Sequence, residues 1–132
     1  EYLRSIGCLI AIDDFGTGYS NLAQIKALKP DLVKIDKMFV DDLGSTTDTA
    51  RGAFVQAILG IASAHGMKVC AEGVETMDQL ASLRNRDVDY AQGYFFAKPM
   101  PIRDFSLYLL EQTLKEKMPT SGRLAKLKPV SG

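Results

Sequence analysis

Two aspartates stand side by side at the end of an apolar run, Leu9-Ile10-Ala11-Ile12-Asp13-Asp14, and the chain then turns through Phe15-Gly16-Thr17-Gly18. A short aliphatic run of this kind suits a strand buried on both faces, and Gly16 and Gly18 supply the backbone freedom of a sharp exit loop. Two full charges at the mouth of a strand cost several kcal/mol when unpaired, so a cation is expected beside them, and a divalent ion fits best. The same pair could equally cap a helix or shape a turn.

Other polar residues fall at equivalent places. Lys34 and Asp36 end a second apolar run, Glu72 a third and Gln92 a fourth. In a parallel sheet every carboxyl end faces one side, so strand alternation lets Asp13, Lys34, Glu72 and Gln92 converge on one rim. Taken singly, each has a plain explanation. Lys34 could be a surface lysine on an edge strand, Glu72 before Gly73 a turn residue, Glu75 a backbone partner opening the next helix, and Gln92-Gly93 a strand exit. Jointly they favour a site. The one histidine, His65, falls at a helix C-terminus, where partial positive charge is mildly favourable, and is read as structural. With no histidine near the strand ends, serine or cysteine nucleophile chemistry is set aside.

Periodicity supplies the elements that must carry these groups. Strands are expected at Cys8 to Asp13, Leu32 to Asp36, Lys68 to Glu72 and Val88 to Gln92. Helical patterns lie near Ser20 to Leu28, Thr49 to His65, Thr76 to Arg84 and Ile102 to Lys117. Strands alternating with helices imply an α/β fold with a parallel sheet. Thr76-Met77-Asp78-Gln79 has capping-box spacing, Gly66 follows His65 where a left-handed C-terminal residue is expected, and Pro99 and Pro101 stop one run before the last helix begins. Residues 119–132, rich in Pro, Ser, Gly and Lys, read as a flexible C-terminal tail.

The 132 residues are 46% hydrophobic, enough for one globular core, and sixteen basic residues balance sixteen acidic ones. No global field draws the chain to DNA, RNA or an anionic membrane. The longest apolar stretches, Phe54 to Ala64 and Val88 to Ala97, are too short to cross a bilayer. Cys8 and Cys70 have no partner at metal-ligand spacing and read as plain buried thiols in a reducing, cytoplasmic setting. A start at Glu1 without methionine suggests an excised piece of a longer chain, whose parent could be membrane-tethered.

The segments Asp13-Asp14-Phe15-Gly16-Thr17-Gly18-Tyr19-Ser20, Lys34-Ile35-Asp36, Ala71-Glu72-Gly73-Val74-Glu75-Thr76 and Gln92-Gly93-Tyr94, in this order, resemble the EAL-domain cyclic-di-GMP phosphodiesterases. The resemblance implies a TIM-type (β/α)8 barrel and metal-dependent hydrolysis of cyclic di-GMP to linear pGpG in bacterial second-messenger signalling. It implies Asp13 bridging two Mg²⁺ or Mn²⁺ ions, Asp14 on the second ion, Lys34 at the attacking water or the phosphate, and Glu72 assisting the metal or water. Gln92 would help hold the site or substrate, and Glu75 would support it. The Glu-Ala-Leu signature, an asparagine and a further glutamate of the family are absent. A full barrel needs eight strand-helix units and this chain offers four. Residues 1–118 are therefore expected to be the C-terminal half of the domain, its fifth to eighth strands, inactive alone and pairing with a second copy or with the missing N-terminal half. The competing expectation is a non-catalytic EAL-like module that binds cyclic di-GMP or a protein.

Overall fold

Alternation along the strands decides which side of the sheet is covered. In β2 (Leu32–Ile35) Val33 and Ile35 are buried while Leu32 and Lys34 are only partly so, which is the pattern of a strand with helices on one face. The computed structural model describes residues 2–17, 22–41, 43–45 and 49–117. The expected tail, and Gly18 to Ser20 of the glycine turn, lie outside the described residues.

Four strands, β1 (Ala11–Phe15), β2, β3 (Lys68–Ala71) and β4 (Tyr90–Ala91), pair in chain order. Every pairing is parallel. The crossovers run through α2 (Leu22–Leu28), α3 (Thr49–Ala64) and α4 (Met77–Arg84), with α1 (Tyr2–Ser5) ahead of β1 and a 3₁₀ turn, Lys37–Phe39, after β2. Parallel strands in chain order joined by helices are the pattern of a (β/α) barrel, and these four strands are compatible with part of one. Their shared core unites Ile12, Val33, Ile35 and Val69 of the sheet with Ile25, Val55, Ile58, Leu80 and Leu83 of the helices. Each such side chain removed from water contributes about 1.5–3 kcal/mol. The expected capping box is present at α4, where the Thr76 hydroxyl accepts from the Gln79 amide at 3.2 Å and Gln79 Oε1 accepts from the Thr76 amide at 3.0 Å. At the end of α3 Gly66 takes a positive φ, as a left-handed terminator does.

Three expectations need correction. Leu9 to Ile12 is not buried on both faces, since Leu9 and Ala11 are exposed and only Ile12 is buried. The helices cover one face of the sheet, and on the other Ala11 and Lys68 are exposed. Cys8 is exposed whereas Cys70 is buried. The Cys8 amide still bonds back to the Leu3 carbonyl at 3.0 Å, so this residue closes α1 rather than opening β1. β2 and β3 begin where expected, at Leu32 and Lys68, but β1 begins at Ala11 rather than Cys8 and runs on to Phe15, and β4 begins at Tyr90 rather than Val88. Asp31 Oδ2 takes the Ile10 amide at 2.7 Å, and Asp89 Oδ2 takes the Val69 amide at 3.0 Å. These carboxylates stand where a neighbouring strand's carbonyl would otherwise accept.

The chain divides between Phe96 and Ala97 into two compact units. In the second, α5 (Ile102–Lys117) begins after Pro101, whose carbonyl accepts from the amides of Asp104 and Phe105. No helix among the described residues is long and apolar enough to cross a membrane.

Candidate metal centre

A regular strand would send Asp13 and Asp14 to opposite faces, yet both are exposed, while Ile12 and Phe15 on either side are both buried. The ladder explains this. Ile12 pairs with Val33 and Phe15 with Ile35, so two residues of β1 stand opposite the single residue Lys34. This is a β-bulge, which bends the strand and re-aims its side chains. Asp14 takes φ +50°, the left-handed region that aspartate tolerates better than most residues. Gly16 then turns the chain away at φ +103°, and a Cβ there would lie 2.8 Å from Phe54 Cε1. The Phe39 and Phe54 rings, stacked at 4.3 Å, leave that position to glycine.

Lys34 reaches across the bulge. Its Nζ lies 2.9 Å from Asp13 Oδ1 and 2.5 Å from Glu72 Oε1. Gln92 Nε2 donates to the same Glu72 oxygen at 2.9 Å. The Lys34 hydrogen bond holds the Asp13 carboxyl below the usual aspartate range. Burial alone would push the Lys34 ammonium down, but its bonds to Glu72 and Asp13 outweigh that and hold it well above the ordinary lysine value. Cys70, in register with Lys34 on β3, is buried, and burial pushes its thiol up to about 11.

The structure thus brings Asp13, Asp14, Lys34, Glu72 and Gln92 together. Glu75 stands apart, its carboxylate 2.5 Å from the Lys37 ammonium. Lys37 also reaches Asp41 at 3.2 Å, and the buried Gln79 spans the same loops, accepting from the Glu75 amide at 2.7 Å and donating to the Asp41 carbonyl at 3.1 Å. Sequence reasoning missed Lys37 and Asp41 and saw only a cap in Gln79. The bulge had a signal: Ile12 and Phe15 are three residues apart, where two apolar residues on one face of a strand should be two or four apart.

One oxygen each from Asp13, Asp14 and Glu72 lies within 4.8 Å of the others. Three carboxylates against one ammonium leave a net charge of two negative, and an all-oxygen donor set suits a hard divalent ion such as Mg²⁺ or Mn²⁺. The residues present fit such an ion.

Residues 1–99 match the EAL domain family, and the chain belongs to it. The "Probable cyclic di-GMP phosphodiesterase PdeA" of Escherichia coli (strain K12) is 44% identical over 104 residues, which are 79% of this chain and 14% of that protein. The EAL domain of Mycobacterium smegmatis DcpA is similar in structure, with a TM-score of 0.77 and 37% identity, over 83% of this chain and 48% of that one. A manganese and cyclic-di-GMP complex of Klebsiella pneumoniae BlrP1 aligns with a TM-score of 0.66 and 35% identity, over 74% of this chain and 24% of that one. The chain thus spans a small part of the relative it matches.

Proposed function

We propose that this chain provides one side of the catalytic rim of a cytoplasmic, metal-dependent phosphodiesterase that opens cyclic di-GMP to linear pGpG. The observation that carries the reading is the cluster of Asp13, Asp14 and Glu72 around the Lys34 ammonium. The manganese and cyclic-di-GMP complex of a relative at 35% identity supports the choice of ion and ligand. When bound, divalent ions would supply an activated water and neutralise the leaving oxygen.

The chain's own residues do the rest. Asp13 and Asp14 would hold the divalent ions together with Glu72. Glu72, whose Oε1 faces Lys34 and Gln92, would assist in holding an ion or the water. Lys34, kept charged by its carboxylates, offsets charge on the phosphate and holds the water in line. Gln92 fixes the rotamer of Glu72, and Glu75 supports the turn behind it.

Three carboxylates fall short of the six or so oxygens that a hard divalent ion takes, so the chain alone binds Mn²⁺ weakly and turns over little nucleotide. Two measurements test this: titration with Mn²⁺ followed by electron paramagnetic resonance, and chromatography of cyclic di-GMP incubated with the chain and Mn²⁺. Weak binding that Asp13→Asn abolishes, with little or no pGpG, is expected. Brisk turnover would refute the inactivity of the isolated chain, and Mn²⁺ binding indifferent to Asp13→Asn would refute the site. Tight cyclic-di-GMP binding without hydrolysis in a longer chain that carries further oxygen ligands would favour a purely sensory role.

A further inference from the structure

Lys37 touches the turn that carries Glu72 in two ways. Gly73, the next residue, has φ +68°, and a Cβ built on it would lie 2.5 Å from Lys37 Cγ and 2.7 Å from Lys37 Cδ. The lysine stem therefore lies directly on the bare Cα of Gly73. Beyond the stem, Nζ reaches Glu75 Oε1 at 2.5 Å and Asp41 Oδ1 at 3.2 Å. One side chain thus contacts the residues one and three places after Glu72.

The direction of Lys37 is itself fixed. Asp36 caps the 3₁₀ turn, its carboxylate accepting from the Met38 amide at 2.8 Å. The Glu72 amide bonds the Ile35 carbonyl at 3.0 Å, so the end of β2 meets the same turn at a third point. Lys34, Ile35 and Lys37 form one bracket around residues 72 to 75. The ion pair is exposed and contributes little energy by its charge, so what matters is the place the stem occupies.

We propose that Lys37 is a positioning residue: it clamps Gly73 to Glu75 onto the segment after β2 and so holds Glu72 in the geometry that faces Lys34 and the metal position. The inference deepens the reading of Glu72 given above and rests on it. Groups that orient a ligand from behind commonly change metal affinity by 10- to 100-fold when removed.

Hydrogen exchange and Mn²⁺ titration of the full chain test it together. In Lys37→Ala the Val74 amide, bonded to the Gln92 carbonyl, and the Glu75 amide, bonded to Gln79, should exchange about tenfold faster, while the Val33 and Val69 amides keep their protection. Mn²⁺ affinity should fall about tenfold, and Lys37→Arg should restore both readouts. If Lys37→Ala also loosens the sheet amides, Lys37→Met keeps the stem without the charge and is expected to hold Val74 near its original rate. Unchanged exchange at Val74 and Glu75 in Lys37→Ala overturns the proposal. So does local loosening with undiminished Mn²⁺ affinity, since it severs the turn from Glu72. An unmodified chain that takes no Mn²⁺ at all would instead sink the functional reading, and the exchange rates would still decide the clamp.

Discussion

At the scale of single residues, Lys34 settles whether the carboxylates can share one place. Without it Asp13 and Glu72 would face each other uncompensated; with it both are bonded at 2.9 and 2.5 Å. Glu72 is the more buried of the two, so removing its cation leaves a carboxylate that solvent only partly rescues. Lys34→Met should lower stability by about 1–2 kcal/mol, after allowance for the exposure of Asp13, and added Mn²⁺ should recover part of the loss. Urea denaturation with and without the metal measures both. Identical midpoints for the two proteins would show that the lysine does not govern this cluster. The residue types were legible in the sequence because each closes an apolar run. The tilt that puts Asp13 and Asp14 on one side was not, because a strand's period of two hides a bulge unless the three-residue gap from Ile12 to Phe15 is weighed.

At the scale of elements, the amino ends of β1 and β3 are each held by an aspartate side chain in place of a ladder carbonyl. The Ile10 amide, and after it Arg4, hold the Asp31 carboxyl below the usual range. An unfolded Asp31 therefore takes up a proton first as pH falls. The stability it contributes is complete above the ordinary aspartate value of about 4 and is lost as pH falls through the lowered folded value. Lys68 has the opposite sign. Its bond to Asp89 raises it, so that contribution is complete below the ordinary lysine value and fades as pH rises through the raised one. Thermal midpoints taken from pH 7 down to pH 2 should fall less steeply for Asp31→Asn than for the unaltered chain, and parallel curves would speak against this anchor. The helices and the order of strands could be read from periodicity and caps, as Thr76 to Gln79 shows. The limits of β2 and β3 could be read to within a residue, but the late start of β1 could not, because Asp31 spends its carboxylate on the Ile10 amide, a contact between residues distant in sequence that no local pattern announces.

At the scale of the molecule, β1 and β4 each pair on one side among the described residues, and the face opposite the helices carries exposed Ala11 and Lys68. Open strand edges are templates for further pairing, and a four-stranded parallel sheet with two such edges gains by covering them. Sedimentation equilibrium at micromolar concentration should therefore show association of the chain with itself, unless the rest of a barrel is supplied. A stable, well-folded monomer would count against it. The alternation noted in β2 has one more result, for Val33 and Ile35 anchor the helices while Lys34 points the other way. What secures the scaffold and what joins the carboxylate cluster belong to opposite sides of the same ribbon. A substitution among the groups beside Lys34 can therefore alter the cluster while Val33 and Ile35 go on holding the helices.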